Sequence, residues 1–304
     1  SGKPDADMHY TPAVGGAPLN VAAAYAKLGG TSYILSQVGD DAFGAQIAAT
    51  AAAAGVDTRY LQRTREAKTA LAFVTLHDGG EREFAFYRDP SADMLYAPEN
   101  LAAITPQAGD ILHYCSVSLI PCPMREAHRV AIDKFRAAGA AISFDINLRL
   151  PLWKDPADLY AAVHEFLPLA DIIKISDDEL AFVTGEDDPA RGIPQLIQGH
   201  VKYVVYTCGA NGAAIYDQHG ERGRTNAYRV SAVDATGAGD AFIGGLLAEI
   251  AHLGLSVRDD LSDAHIHALL DHAAKVGAIT TLQRGAINSM PDRANLQTFK
   301  GNRP

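Results

Sequence analysis

The chain has 304 residues, 48% of them apolar, which is material for one large α/β domain or two modest ones, and one domain with an appendage fits better. A formal charge of −10 leaves no basic face able to neutralise a run of phosphates, so nucleic acid is excluded as an expected partner. Cys115, Cys122 and Cys208 show no Cys-x-x-Cys spacing, which argues for a reducing compartment, core or near-core thiols and no structural zinc. No apolar run reaches about eighteen residues and no basic-then-apolar leader is visible, so a cytoplasmic protein without a membrane span is expected.

In chain order, residues 17–28 (APLNVAAAYAKL) carry apolar residues at helical spacing and are stopped by Gly29-Gly30. A strand over Ser32–Val38, the turn Gly39-Asp40-Asp41 and a second Ala-rich helix ending at Gly55 follow. Between about 68 and 98 the texture changes. Leu71–Leu76 and Glu83–Arg88 read as a β-hairpin turned at His77-Asp78-Gly79-Gly80 and ended by Asp89-Pro90. A hairpin does not extend a parallel sheet easily, so this segment is expected to form a lid over a site.

From Asp110 the alternation resumes, with strands 110–115, 141–145 and 171–175 and helices near 123–138, near 157–168 and from about 177. Val201–Tyr206, Ala213–Tyr216 and Tyr228–Val230 read as later strands, ahead of a helix from Ala241 and a long one through His272 to Thr280. Nearly continuous apolar strands predict a parallel sheet covered on both faces, with ligands at the C-terminal strand ends.

The chemistry concentrates in Ala232–Phe242 (AVDATGAGDAF). Gly237, Ala238 and Gly239 carry almost no side chain and open a helix, whose free N–H groups suit a phosphate or the charge that builds in phosphoryl transfer. Asp240 lies at that mouth, where a carboxylate can take a proton from an attacking hydroxyl while the amides hold the transferring group. The plainer alternative is a helix cap on a tight turn. Neither a Gly-x4-Gly-Lys-Ser/Thr loop nor an early Gly-x-Gly-x-x-Gly occurs, which disfavours P-loop and Rossmann nucleotide binding.

Gly15-Gly16-Ala17-Pro18-Leu19-Asn20 places an amide inside the first turn of a helix, able to bond hydroxyls as donor and acceptor. Arg88 and Asp93 offer a charged donor and an acceptor to a polyol, or equally a surface ion pair. Asp145–Trp153 (DINLRLPLW) lies at a strand's C-terminal end, where Arg149 either meets a ligand or caps the sheet. Asp177, Asp178 and Glu179 suit a helix start without any metal. A metal site at His265, His267 and His272 is disfavoured, because positions two apart on a helix face different ways.

Together these stretches resemble the ribokinase-like (PfkB) sugar kinases, with the closest likeness to fructokinases. The family string Asp-Thr-x-Gly-Ala-Gly-Asp is matched with Ala235 in place of Thr, and the family's sugar-binding Gly-Gly and Asn by Gly15, Gly16 and Asn20. The Phe-Asp-Pro-Asn-Leu-Arg-x-x-Leu-Trp stretch is matched with Ile146 for Pro, and Asn-x-x-Glu with Ser176 for Asn. The resemblance implies a single ribokinase-like domain over 1–304, a three-layer α/β fold with a mostly parallel sheet and a small β-lid from about 5–14 and 68–98. It implies ATP-dependent phosphorylation of D-fructose, with Asp240 as base and Gly237, Ala238, Gly239 and Arg149 at the phosphoryl group. Ribokinase or 2-keto-3-deoxygluconate kinase chemistry and a non-catalytic fructokinase-like partner protein are the alternatives.

Sugar would then meet Gly15, Gly16, Asn20, Arg88, Asp93 and Asp240, and nucleotide Lys174, Thr207, Gly209, Gly212, Gly237 and Gly239, with Arg284-Gly285-Ala286 nearby. Glu179 falls in a Mg²⁺ shell through water, Asp234 at a K⁺ site, and the lid is a candidate homodimer surface. Family members begin with a strand ending in a sugar-binding Asp, and nothing apolar precedes Gly15 here. A further N-terminal strand carrying that carboxylate is therefore expected in the natural product, with Asp5 and Asp7 poor substitutes.

Overall fold

The computed structural model describes residues 10–76 and 82–303. Its centre is a six-stranded sheet built from β7 (Ile111–Cys115), β8 (Ala141–Asp145), β9 (Ile172–Ser176), β10 (Tyr203–Thr207), β11 (Ala213–Asp217) and β12 (Gly220–Thr225). The strands from β7 to β10 run parallel, and β11 and β12 turn back antiparallel at one edge. Among the described residues no strand pairs with the outer edge of β7.

Side chains alternate faces along a strand, so each strand feeds two cores. Tyr114, Ile142, Phe144, Ile173, Ile175 and Val204 meet α3 (Pro123–Ala137), α4 (Pro156–Phe166), α5 (Asp177–Thr184) and α6 (Pro189–Leu196) on one face. Ala141, Ile172, Val205 and Ile215 meet α1 (Ala17–Lys27), α7 (Ala238–His252) and α8 (Asp263–Thr280) on the other. This is the three-layer α/β arrangement that the nearly continuous apolar strands predict. α9 (Arg293–Thr298) follows α8, and its Arg293 Nε donates to the Leu28 carbonyl at 2.6 Å.

The N-terminal third departs from expectation in one respect. The strand expected over 32–38 is two short pieces, β1 (Ser32–Tyr33) and β2 (Ser36–Gly39), which pair separately with β3 (Val56–Asp57) and β4 (Leu61–Thr64). Between β2 and β3 runs α2 (Ala42–Ala53), capped by Asp41 accepting from Gly44 N–H. The hairpin forms as β5 (Leu71–Leu76) and β6 (Arg82–Tyr87), antiparallel with Leu71 opposite Tyr87. Its turn residues His77–Gly80, and Asp5 and Asp7, lie outside the described residues. Of the other expected lid segment, Tyr10 meets Phe73 edge-on at 4.8 Å between ring centroids.

Two strand assignments near the C-terminal part change. β12 reads GERGRT, a polar edge strand that pairs through its backbone and offers no apolar alternation to find it by. Tyr228–Val230 forms no strand. Its apolar residues are spent elsewhere, with Tyr228 bonded to Asp271 and packed against Phe299, and Arg229 making only a single bridge to Asn302.

Candidate active site

The turn before α7 is held by Gly237, whose φ of 77° is left-handed and whose added Cβ would come within 2.8 Å of the Ala286 Cβ. Gly237 has no side chain to occupy the first N–H groups of α7, so that helix mouth stays available to an anion. Asp240 follows in the first turn and is 8% exposed.

Its carboxylate is held from two sides. Asn20 Nδ2 in α1 donates to Oδ2 at 2.8 Å, and Asn147 Nδ2 just past β8 donates to Oδ1 at 3.3 Å. α1 reaches this point because it packs closely on α7, where a Cβ on Gly244 would fall 2.7 Å from the Ala24 Cβ. Asn147 is the one non-glycine described residue with a left-handed backbone, at φ 42°. Burial pushes the Asp240 carboxyl above the usual carboxylate range, opposed by the Asn20 bond and by the charges of Lys174 and Arg149. A carboxylate raised this way holds a proton more readily than an exposed aspartate. The Oδ1 atoms of Asn20 and Asn147 are buried without a hydrogen-bond partner, so two free acceptors lie beside the Asp240 carboxylate.

Arg88 and Asp93 pair directly. Arg88 Nε and Nη2 both donate to Asp93 Oδ2, at 2.9 and 2.5 Å, while Nη1 donates to the Val117 carbonyl and Ser91 Oγ donates to Asp93 Oδ1. The pair is mostly buried, which sets it apart from a surface ion pair. It joins the end of the lid strand β6 to the loop after β7.

At the sheet's C-terminal ends, Lys174 Nζ donates to Asp145 Oδ1 at 3.0 Å, with both residues buried. Glu179 accepts from Leu148 N–H at 2.7 Å and from Ser176 N–H at 2.9 Å, closing a capping box on α5. Arg149 is exposed, with Nη1 donating to the Leu148 carbonyl. Thr207 ends β10, and Gly209 and Gly212 bracket the turn behind it, where Cys208 N–H donates to the Gly212 carbonyl at 2.8 Å. Asp234 accepts from Thr236 N–H and Oγ1 and, across the chain, from Gly285 N–H at 3.1 Å. It therefore ties the turn before α7 to the 284–286 loop.

Residues 2–293 match the pfkB family carbohydrate kinase profile. The chain belongs to that family. Among curated relatives, probable fructokinase-4 of Arabidopsis thaliana is 40% identical over 296 residues, covering 96% of this chain and 89% of that one. Fructokinase-2 of Solanum lycopersicum is 40% identical over 294 residues, covering 95% and 88%. The fructokinase from Vibrio cholerae O395, solved with fructose, ADP and calcium ion bound, superposes with a TM-score of 0.86 at 34% identity, covering 97% of this chain and 94% of that one. Fructokinase from Xylella fastidiosa with bound ATP gives 0.84 at 34% identity, covering 94% and 90%. The fold is ribokinase-like, and the chain is an ATP:sugar phosphotransferase.

Within this pfkB kinase, the structure also brings Asn147, which was not among the expected site residues, to Asp240. The Asp-x-Asn at a strand's C-terminal end was the available signal. His265, His267 and His272 do not gather as metal ligands, and among the described residues no three His, Cys, Asp or Glu side chains do. Glu179, with each oxygen already accepting a backbone N–H, suits a cation held through water, the way Mg²⁺ is commonly bound beside nucleotide phosphates. No described helix is long and apolar enough to cross a membrane.

Proposed function

We propose that this kinase transfers the γ-phosphoryl group of ATP to the primary hydroxyl of D-fructose, giving fructose 6-phosphate in the cytosol. The observation that carries the reading is the buried Asp240, fixed by Asn20 and Asn147 immediately behind an uncapped helix mouth. Its relatives named as fructokinases, and the one solved with fructose and ADP, support the choice of sugar.

Asn20 and Asn147 hold the Asp240 carboxylate, and their free Oδ1 atoms receive sugar hydroxyls, which orients the primary hydroxyl toward the base. Asp240 takes the hydroxyl proton as the oxygen attacks. The unpaired N–H groups at the mouth of α7 then meet the charge on the transferring group, which needs positioning and electrostatics more than covalent help. Arg88 and Asp93 serve the sugar side and Thr207, Gly209 and Gly212 the nucleotide side. Mg²⁺, when bound with the nucleotide, neutralises phosphate charge, and Glu179 is the residue that would hold it through water. Asp234 would hold K⁺. The lid offers a homodimer contact through Phe73 and Tyr87, the latter 67% exposed.

The test is coupled ADP release across fructose, ribose, glucose, mannose and 2-keto-3-deoxygluconate. Fructose is expected to give the highest kcat/KM, and a higher value for another sugar replaces it as the substrate.

A further inference from the structure

Alternation along β8 and β9 turns Asp145 and Lys174 toward α7, the layer otherwise filled by Ala141, Ile172, Val205 and Ile215. Two charges in that layer are unusual. They face each other in register across the strands, Asp145 is fully buried and Lys174 is 6% exposed. A buried pair of this kind adds little net stability, so its effect is sought in the chemistry above it.

The pair touches the base's surroundings on two sides. The Lys174 ammonium lies 3.3 Å from where a Cβ on Gly239 would be, directly beneath the residue before Asp240. Asp145 leads into Asn147, which bonds Asp240, and the intervening Ile146 N–H is fixed to the Lys174 carbonyl at 3.0 Å. We propose that Lys174 and Asp145 are positioning residues for the base, the ammonium steered by Asp145 so that Asp240 stays a carboxylate facing the sugar, and that Lys174 does not bind nucleotide. The inference rests on the proposed role of Asp240 as base.

The charged and titratable groups around Asp240 are Lys174 on β9, Asp145 on β8, Arg149 beyond it, Glu179 on α5 and Cys115 on β7. Burial opposes the Lys174 charge, but Asp145, Glu179 and Asp240 outweigh it and keep the ammonium well above its usual range. Lys174 in turn pulls the Asp240 carboxyl down against burial. The two partners therefore act on Asp240 with opposite sign.

Lys174→Met and Asp145→Asn test this through kcat and KM as functions of pH, with fructose and ATP each varied. Lys174→Met is expected to lower kcat at neutral pH by at least about tenfold and to move the acidic limb of its pH profile up by about one unit, with KM for ATP within about threefold. Asp145→Asn, which leaves the ammonium uncompensated, is expected to move that limb down. Limbs that stay in place or move together overturn the proposal. So does a selective rise in KM for ATP, which marks Lys174 as a nucleotide ligand. If Lys174→Met does not fold, the near-isosteric Asp145→Asn decides alone by the direction of its limb. A wild-type protein that phosphorylates none of the sugars instead defeats the parent reading.

Discussion

Asn20 Nδ2 and Asp240 Oδ2 lie 2.8 Å apart although the residues are separated by 220 positions in the chain. The contact joins the first turn of α1 to the first turn of α7, so the amide fixes the Asp240 carboxylate and leaves its own buried oxygen without a partner. Because this machinery would act on proton transfer more than on ground-state binding, Asp240→Asn is expected to lower kcat by at least about a thousandfold with fructose affinity changed only a few-fold. Steady-state kinetics with sugar binding by calorimetry measures both, and a variant keeping a tenth of the activity removes Asp240 from the role of base.

The closeness of α1 and α7 carries a second expectation. A methyl on Gly244 would fall 2.7 Å from the Ala24 Cβ and 3.0 Å from the Val21 carbonyl, and backbone cannot yield as a flexible side chain can. Gly244→Ala is expected to cost about 1–3 kcal/mol of stability and to weaken the Asn20–Asp240 bond, lowering kcat together with the unfolding midpoint. Denaturant unfolding and kinetics on the same preparation decide it, and unchanged values of both contradict the close packing.

Much of the fold was legible because it is local. The nearly continuous strand 141–145 and the helix expected over 17–28, observed as Ala17–Lys27, are set by apolar spacing and glycine stops. β12 was not legible, since GERGRT is held by backbone pairing at an edge. The site divides the same way. Gly237, Asp240 and Asn20 stand out in short strings, whereas Asn147 depends on a left-handed backbone and on β8 meeting α7 across a long stretch of chain. The bond of Lys174 to Asp145 follows from strand register that no local pattern encodes.

Arg88 holds Asp93 with two bonds and the Val117 carbonyl with a third, so the pair braces the lid against the strand ends. Asp93→Ala would release Arg88 and loosen the lid end assigned above to the sugar side. Its expected effect is a rise of about tenfold in KM for fructose with KM for ATP within about twofold, the size of losing a charge-assisted hydrogen bond. Equal changes in both constants would falsify the assignment of this pair to the sugar side.

His113 provides a test of stability against pH. Its Nδ1 meets Ser143 Oγ at 3.0 Å and its Nε2 is buried without a partner. Burial first, and the Lys174 charge second, push the ring's pKa from 6.5 down to about 3. The folded-state value is depressed, so between those limits the unfolded chain binds the extra proton. The contribution to stability is whole above about pH 6.5 and is lost as pH falls toward 3, at about 1.4 kcal/mol per pH unit. His128, also lowered by burial, adds with the same sign. Asp145, pushed up by burial against the charge of Lys174, acts with the opposite sign. The whole-protein slope therefore mixes signs, and the His113→Gln variant separates them. Its stability, measured by urea midpoints between pH 7 and 4, is expected to fall less steeply than that of the natural sequence by about 1.4 kcal/mol per unit below pH 6. Parallel curves for the two proteins would show that His113 takes up its proton in the fold as easily as in the unfolded chain.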